Sequence, residues 1–565
     1  IMTRPAIWLV ASSGKGKRIP MRQIDLVRIY ATKTCLVVDD MSEIRGSISR
    51  MLKTFGVLHV DTVATGDDAI EICQQKHFDI VLCDYNLGPG KDGQQVLEEL
   101  RHRNQLNNTS MFIMITAESA RDMVLGALEY QPDDYVTKPI TQNSLRTRLD
   151  RALIRHQELY NIKESIDRKD YEAAIGQCGE KLDGDTNYRS ACLQIQAEMY
   201  LRTFNHSAAK DIYENVIEER PLMWAKLGMG KAQLAEKDYN DAEGTFKEII
   251  GIDRRFVEAH DLLASSYLAR DEQVKAQKAM EEAVDVSPKS VLRQRRLSNL
   301  AEKNQDMDIA LKASRKTIKL GQNSCFESPE DYLHLTRQLA DASKDDETIR
   351  GKEYAKEAFD VLRRLEKKTY CDSTAKLQSK SLKSRVSAGQ HKDAEAERWM
   401  AEARSAYEDL EHNLSPEASI DFAESLISSG DKDAANSILK RVAKENPDNE
   451  RVTEKVDAIS DGPISAKGRQ KVADWTKKGI AHYEAKQYPD AVMVFTNSLD
   501  LFPKHIGLNL NLVQAILADT KKNGVQEDYK QLSETALENI GSLEAADPQY
   551  ARFEFLKKQV GKQFS

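Results

Sequence analysis

Residues 79–93 read DIVLCDYNLGPGKDG, an apolar run that ends at Asp84 and is followed by a loop with three glycines. The run is one of five strand-like segments, TCLVVDD, VLHVDTV, DIVLCDY, MFIMITA and DDYVTKP. The helical patterns that alternate with them are SEIRGSISRMLKTFG, GDDAIEICQQ, GQQVLEELRHR, SARDMVLGALE and TQNSLRTRLDRAL. Strands that alternate with helices predict a parallel sheet covered on both faces. We therefore expect residues 34–156 to form a doubly wound α/β domain.

Polar residues follow four of the five predicted strands, at the point where each strand ends. These residues are Asp39 and Asp40 after the first strand, Asp84 after the third, Thr116 after the fourth and Lys138 after the fifth. The carboxyl ends of parallel strands meet at one edge of a sheet, where such domains bind their ligands. Three neighbouring carboxylates remain ionised together when a divalent cation lies among them, and oxygen ligands of this kind suit Mg²⁺. A cation beside Asp84 would let its carboxylate attack a phosphoryl group as a nucleophile.

The motifs LVVDD, VLCDYN, MIT followed by Ala117, and YVTKP, with 44 residues from Asp40 to Asp84, resemble a response-regulator receiver domain. The resemblance covers residues 34 to about 156 and implies a flavodoxin-like fold with a five-stranded parallel sheet. It implies that Asp84 is the phosphoacceptor and that Thr116 and Lys138 sense the phosphoryl group. It also implies that Tyr135 is an aromatic switch. The Mg²⁺ ligands implied by the family are Asp39, Asp40, Asp84 and the backbone carbonyl of Asn86.

The loop after Asp84 departs from the receiver family. Gly88 stands where the family commonly has proline, Pro89 follows, and the loop up to Gly93 is one residue longer. Asn86 and Glu118 are placed to influence attack of water on the phosphoaspartate, and chemotaxis-type receivers with short-lived phosphorylation have the same pair. We therefore expect a transient signal.

A second region is repetitive. Ala242, Ala276 and Ala310 lie 34 residues apart, and Ala209 precedes Ala242 by 33. Each alanine lies within a pair of amphipathic helical patterns, and the clearest pair closes at Pro288. Small residues let two antiparallel helices approach closely, and proline ends the second helix.

These repeats resemble tetratricopeptide repeats, which implies an all-α solenoid over residues 157–505. The pattern is weak between about 322 and 400, where longer helices or a break in register are expected. Residues 506–565 read as capping helices. Such a solenoid presents an extended surface that receives a peptide, a helix or another protein. The basic cluster RQRR at 293–296 is interpreted as a solvated helix face.

Composition narrows the class of protein. The chain has 565 residues, of which 30 % are charged, and a net charge of −8. Residues 1–33 are a basic leader of charge +6, expected to be disordered or non-native in part, so the remainder carries −14. An acidic body disfavours DNA as the main partner.

The cysteines and the apolar runs bear on localisation. Seven scattered cysteines without a CxxC pair suit a reducing compartment, and no apolar run reaches the roughly 18 residues of a membrane helix. We therefore expect a cytoplasmic protein.

These features together indicate a bacterial two-component response regulator that a sensor histidine kinase or a phosphotransfer protein phosphorylates. Its output would be phosphorylation-modulated binding of an unidentified protein by the repeats, with no enzymatic activity beyond the receiver's own phosphorylation and dephosphorylation. Homodimerisation is left open. The alternative is an adaptor or competitive inhibitor that sequesters a kinase or another regulator without switching. A transcription factor is disfavoured, since no DNA-binding motif is evident.

Overall fold

The computed structural model describes residues 26–117, 132–184, 187–410, 414–460, 462–526, 528–541, 543 and 547–564. Five strands and 27 helices lie within these ranges. The chain divides into two compact units, Ile1–Ser328 and Pro329–Ser565, and each is described by itself. Residues 1–25 of the basic leader and the predicted helix SARDMVLGALE lie outside the described residues.

A five-stranded parallel sheet forms the centre of the first domain, as the sequence predicts. The strands are β1 (Thr34–Val38), β2 (His59–Val63), β3 (Ile80–Asp84), β4 (Met111–Thr116) and β5 (Asp134–Thr137). Their order across the sheet is β2-β1-β3-β4-β5, and every neighbouring pair is parallel. This is a doubly wound order, in which the connection from β1 reverses direction and leaves a crevice above β1 and β3.

Five described helices cover the two faces of the sheet: α1 (Leu26–Ala31), α2 (Ser42–Phe55), α3 (Gly66–Gln75), α4 (Gly93–His102) and α5 (Gln142–Glu158). Successive strand residues point to opposite faces, so Cys35 and Val37 pack with α1, α2 and α5, whereas Leu36 and Val38 pack with α3 and α4. Both faces are buried, which explains why the strands read as continuous apolar runs.

The described end of the basic leader, residues 26–31, packs against the first domain. Residues 26–31 form α1, and Tyr30 is fully buried against Phe55. The Tyr30 hydroxyl donates a hydrogen bond of 2.8 Å to Asp150 on α5. A six-residue helix offers too short a pattern for its buried face to be read from sequence.

The helices that follow in the first unit are arranged in antiparallel pairs. They are α6 (Tyr160–Asp167), α7 (Tyr171–Asp183), α8 (Arg189–Arg202), α9 (His206–Glu219), α10 (Met223–Ala235), α11 (Tyr239–Ile252), α12 (Val257–Ala269), α13 (Gln273–Val286), α14 (Val291–Lys303) and α15 (Met307–Gly321). The first helices of four pairs begin at residues 189, 223, 257 and 291, which gives the predicted period of 34 residues. Each pair turns at a residue with positive φ, namely Phe204, Lys237, Asp271 and Gln305.

Small residues allow the close approach of these helices. The four alanines that revealed the period are fully buried. Gly228 on α10 lies against Tyr213, and a Cβ atom added to Gly228 would lie 2.2 Å from the tyrosine ring. The ring therefore fills the space that any larger side chain at position 228 would need.

The cluster RQRR differs from the solvated face expected for it. Arg293 is buried, and its Nε lies 2.8 Å from an Asp261 carboxylate oxygen. Arg293 also donates to the Ser287 hydroxyl at 3.0 Å, whereas Arg296 is exposed. One arginine of the cluster is thus a core ion-pair residue because its helix buries that face between neighbours.

The carboxylate of Glu243 on α11 is surrounded by hydrogen-bond donors from neighbouring side chains. It accepts hydrogen bonds from Lys247, Arg270 and Tyr267. The hydrogen bond from Lys247, followed by those from Arg270 and Tyr267, outweighs the opposing effect of desolvation and lowers the pKa of Glu243 to about 2. The carboxylate is therefore ionised throughout the neutral and mildly acidic range.

The second unit is entirely helical in its described residues. Its helices are α16 (Pro329–Ser343), α17 (Ile349–Glu366), α18 (Ser373–Gly389), α19 (Asp393–Leu410), α20 (Pro416–Ser428), α21 (Lys432–Glu445), α22 (Glu450–Ile459), α23 (Ala466–Glu484), α24 (Tyr488–Leu499), α25 (Ile506–Asn523), α26 (Tyr529–Ile540) and α27 (Tyr550–Gln563). The helices α16 to α19 have 15 to 18 residues, which confirms the longer helices expected where the repeat pattern is weak.

A buried ion pair lies in the core of the second unit. Arg337 on α16 bonds both carboxylate oxygens of Asp421 on α20 at 2.7 Å, and Gln378 donates a further bond of 2.7 Å. Asp421 is fully buried, so its charge depends on these partners. Within the described part of the chain, no helix combines the length and the apolar character that crossing a membrane requires.

Candidate functional site

The register of the sheet gathers the predicted site residues at one edge. β1 pairs with β3 so that Val38 lies beside Cys83, and β3 pairs with β4 so that Asp84 lies beside Ile115. The residues that follow the strands therefore emerge side by side at the carboxyl edge. Asp39, Asp40, Asp84, Thr116 and Lys138 all stand at this edge, as the sequence predicts.

Three carboxylates form a compact cluster, here called the acid cluster and made of Asp39, Asp40 and Asp84. One carboxylate oxygen from each lies within 4.8 Å of the others. Asp39 is fully buried, Asp84 is 5 % exposed and Asp40 is exposed, so the cluster opens to solvent on one side. Hard oxygen donors at this spacing fit Mg²⁺, which binds through one or two carboxylates and retains several waters.

Lys138 bridges two members of the acid cluster. Its Nζ lies 2.9 Å from Asp84 Oδ2 and 3.2 Å from Asp39 Oδ2. Burial lowers the pKa of Lys138, but the hydrogen bonds and charges of Asp84 and Asp39 outweigh burial and raise it above the usual value. Lys138 is therefore a permanent cation at the site.

The carboxyl of Asp84 has a raised pKa. Burial is the largest cause, Lys138 opposes it through its hydrogen bond and charge, and the charges of Asp39 and Asp40 add to the rise. A carboxylate that is desolvated and crowded by like charges is stabilised by any further cation placed beside it. The electrostatics of the site thus favour a bound divalent ion.

Asp39 is held by contacts that the sequence did not reveal. Its Oδ1 accepts a hydrogen bond of 2.9 Å from the backbone N–H of Met41. Its carbonyl oxygen accepts one of 2.6 Å from Nη1 of Arg45, on the first turns of α2. Arg45 lies five residues beyond the LVVDD motif, and a lone arginine at a helix start gives no signal of this role.

Thr116 ends β4 at the carboxyl edge, and Tyr135 lies on the neighbouring strand β5 beside Met114. Thr116 is 1 % exposed, and its hydroxyl donates a hydrogen bond of 3.0 Å to the carbonyl of Ala117. Its own carbonyl accepts the backbone N–H of Lys138 at 2.9 Å, which ties the ends of β4 and β5 together. Tyr135 is half-buried against the face of the sheet that α3 and α4 cover.

Asn86 and Glu118 were expected to influence hydrolysis. Asn86 lies two residues after Asp84 and is exposed. Glu118 lies outside the described residues, so the prediction of a transient signal stays a prediction.

The loop after Asp84 returns to contact the site. A Cβ atom added to Gly93 would lie 2.2 Å from the carbonyl oxygen of Asp84, so only glycine permits this approach. The N–H of Gly93 donates a hydrogen bond of 2.9 Å to the carbonyl of Tyr85. Asp92 then caps α4 in a reciprocal arrangement with Gln95. Gly93 is thus required by packing, whereas Gly88 and Gly90 are favoured by their positive φ angles.

Comparison with solved structures finds helical repeat proteins. A tetratricopeptide repeat protein from Parabacteroides merdae is 11 % identical, with a TM-score of 0.31, and the match covers 47 % of this chain and 96 % of that one. MamA 41-end from Desulfovibrio magneticus RS-1 is 19 % identical, with a TM-score of 0.26, and the match covers 29 % and 93 % of the two chains. Since both TM-scores are low, the repeat architecture rests on the 34-residue period of the helix pairs themselves.

Comparison of sequences identifies the first domain. The response regulator receiver domain family matches residues 35–150. The chemotaxis protein CheY-3 of Vibrio cholerae serotype O1 is 30 % identical over 120 residues, which are 21 % of this chain and 91 % of that protein; its sequences from two strains match equally. Because the match spans nearly the whole relative and coincides with the five-stranded domain, the chain belongs to the response-regulator family through its receiver domain.

Proposed function

We propose that this chain is a response regulator of a bacterial two-component system whose Asp84 is phosphorylated, with Mg²⁺ as cofactor. A sensor histidine kinase or a phosphotransfer protein would be the donor. The observation that best supports the proposal is the arrangement of Lys138 between Asp84 and Asp39 within a cluster of three carboxylates. A phosphoacceptor site needs a nucleophilic carboxylate, a cation-binding pair and a fixed ammonium group, and all three are present here.

The chain's own residues account for the steps of transfer. A carboxylate oxygen of Asp84 attacks phosphorus, a P–O bond forms, and the P–N bond of the donor histidine breaks with its electron pair retained by the imidazole. Asp39, Asp40, Asp84 and the carbonyl of Asn86 would hold Mg²⁺, which when bound supplies positive charge beside the phosphoryl oxygens.

Lys138 and Thr116 would contact the product. Lys138 already lies 2.9 Å from Asp84, so its ammonium is in reach of a phosphoryl oxygen on that carboxylate. The Thr116 hydroxyl would exchange its bond to the Ala117 carbonyl for one to the phosphoryl group. Movement of Thr116 would free space beside β4 for Tyr135 to turn inward, which changes the surface of the receiver.

The output would be protein binding. The helix pairs bury their small residues against one another and leave an extended surface for a partner. Phosphorylation would shift the population of binding-competent arrangements, without an enzymatic activity other than the receiver's own phosphoryl chemistry.

Intact-mass measurement after incubation with acetyl phosphate and MgCl₂ tests the phosphoacceptor. The full chain gains one phosphoryl group, D84N gains none, and the matched variant D67N, at an exposed aspartate outside the acid cluster, behaves as the wild type. Absence of the mass gain in the wild type, or its persistence in D84N, would contradict the proposal.

Affinity capture from native lysate tests the output. The wild type with acetyl phosphate should recover a set of proteins that D84N does not recover. Equal recovery by both proteins would instead support the adaptor that sequesters its partner without switching. Light scattering of the same samples reports whether phosphorylation dimerises the chain.

A further inference from the structure

The loop Gly88–Asp92 contacts the repeat region of the same unit. Nζ of Lys91 donates a hydrogen bond of 2.7 Å to the carbonyl of Asn323, and the Asn323 side-chain amide lies 3.5 Å from the carbonyl of Gly90. The segment 322–326, which follows α15, is here called the docking turn. It lies more than 200 residues from the loop in sequence, so the contact is made by the fold and not by chain proximity.

Helix α4 extends the contact. Gln95 donates a hydrogen bond of 3.3 Å to the carbonyl of Gln322, and the ring of His102 meets that of Phe326 edge-on with centroids 5.5 Å apart. The docking turn is itself held to the repeats, since Arg295 on α14 donates a hydrogen bond of 2.9 Å to the carbonyl of Phe326. The receiver therefore contacts the repeats through the loop and the helix that follow Asp84.

Both ends of the same loop run close to the acid cluster. At its start, a Cβ atom on Gly88 would lie 3.7 Å from a carboxylate oxygen of Asp40. At its end, Gly93 packs directly on the carbonyl of Asp84. Only a few residues separate the acid cluster from the docking turn, so the position of one constrains the other.

The loop would be costly to order without an external contact. Gly88 and Gly90 both have positive φ, and glycine loses more conformational freedom on ordering than any other residue. Apart from the bonds to the docking turn, Lys91 has ion pairs with Asp67 at 3.5 Å and Glu99 at 3.2 Å. The docking turn therefore supplies part of the free energy that holds the loop beside the acid cluster.

We propose that the docking turn is a positioning element for the acid cluster: contact with the repeats orders the loop and so strengthens Mg²⁺ binding at Asp39, Asp40 and Asp84. This inference rests on the proposed function, because it takes the acid cluster to be a Mg²⁺ site. By thermodynamic reciprocity, Mg²⁺ in turn strengthens the contact between the loop and the docking turn. The longer loop of this receiver is the part that reaches the repeats.

Calorimetric titration of the full chain with MgCl₂ tests the proposal from both sides of the contact. Lys91→Met removes the bond to Asn323 together with the ion pairs to Asp67 and Glu99, and Phe326→Ala removes only the ring contact with His102 from the repeat side. Each should weaken Mg²⁺ binding by roughly two- to tenfold, the value of one hydrogen bond or equivalent contact. Lys91→Arg, which keeps a cationic donor, should restore most of the affinity. Lys76→Met, which removes an exposed ion pair with Asp61 that does not involve the loop, should leave affinity near that of the wild type.

Hydrogen exchange of the docking turn distinguishes a positioning role from a purely structural one, because only a positioning role makes the exchange rate depend on Mg²⁺. MgCl₂ should slow exchange of the amides of residues 322–328 in the wild type but not in Lys91→Met. Wild-type Mg²⁺ binding with unchanged affinity in both Lys91→Met and Phe326→Ala would overturn this inference and leave the proposed function standing. Failure of the wild type to bind Mg²⁺ would overturn both.

Discussion

Replacing Lys138 with methionine should make the stability of the receiver depend on Mg²⁺. The substitution keeps the length of the side chain and removes the ammonium that lies 2.9 Å from Asp84 and 3.2 Å from Asp39. Both carboxylates are almost completely buried, so the variant has two like charges in the interior without their cation. Removing one partner of a buried ion pair costs about 3–5 kcal/mol.

The loss of stability expected for Lys138→Met is smaller than this range, because the site is open to solvent on one side. The side chain of Lys138 is 27 % exposed, and water reaches the acid cluster beside Asp40. We therefore expect a loss of about 2–3 kcal/mol without Mg²⁺. Free Mg²⁺ at 100 times its dissociation constant raises the free energy of unfolding by about 2.7 kcal/mol. Because Mg²⁺ no longer competes with the ammonium, it should stabilise the variant more than the wild type.

Hydrogen exchange of the amides of β3 and β4, with EDTA and with saturating MgCl₂, measures this local free energy. The matched control is Lys76→Met, which removes an exposed ion pair of 2.6 Å with Asp61 and should cost less than about 1 kcal/mol with no Mg²⁺ dependence. Equal losses in the two variants, or a loss in Lys138→Met that MgCl₂ does not reverse, would refute the electrostatic account of the site.

Three further predictions concern the repeats. Arg337→Met should destabilise the second unit by about 3–5 kcal/mol in urea unfolding, since it leaves the buried Asp421 carboxylate unpaired, and adding Asp421→Leu should recover most of the loss. Gly228→Ala should lower the free energy of unfolding by about 1–3 kcal/mol, because the added Cβ would meet a tyrosine ring. Gly244→Ala, whose Cβ would point into open space, should raise it by about 0.5–1 kcal/mol. Equal melting temperatures of the two variants would contradict this prediction. The pKa of Glu243 is lowered from 4.5 to about 2. The ionised carboxylate therefore stabilises the folded protein fully above pH 4.5, and this stabilisation is lost as the pH falls toward 2. The difference in melting temperature between the wild type and E243Q should shrink over that window.

The elements of the receiver were readable because each is a local pattern. The strand-like runs TCLVVDD, DIVLCDY and MFIMITA are strands in the structure, which end one or two residues earlier, at Val38, Asp84 and Thr116. The 34-residue period was readable for the same reason, since small residues recur wherever two helices approach. The positive-φ residues at the helix turns give no sequence signal, because none of them is a glycine; they are Phe204, Lys237, Asp271 and Gln305.

Burial depends on neighbours that the local sequence does not show, and the solvated face expected for RQRR was wrong for this reason. Residues 26–31 have a basic, leader-like composition, yet Tyr30 is a core residue that bonds Asp150. Arg293 lies in a basic cluster, yet it is buried because Asp261 is brought opposite it by the preceding helix pair. A charge run reveals the solvated face of a helix only when no acidic partner is packed against it.

The sequence by itself determined the five strands, the acidic and basic residues at their ends and the period of the repeats, since each depends on residues close together in the chain. Tertiary structure decided which of these groups touch. The parallel register set Lys138 between Asp84 and Asp39, and the stacking of successive helix pairs carried residues 322–326 to the loop after Asp84. That contact depends on the summed rotations of many helix pairs, a quantity that no local pattern of residues contains.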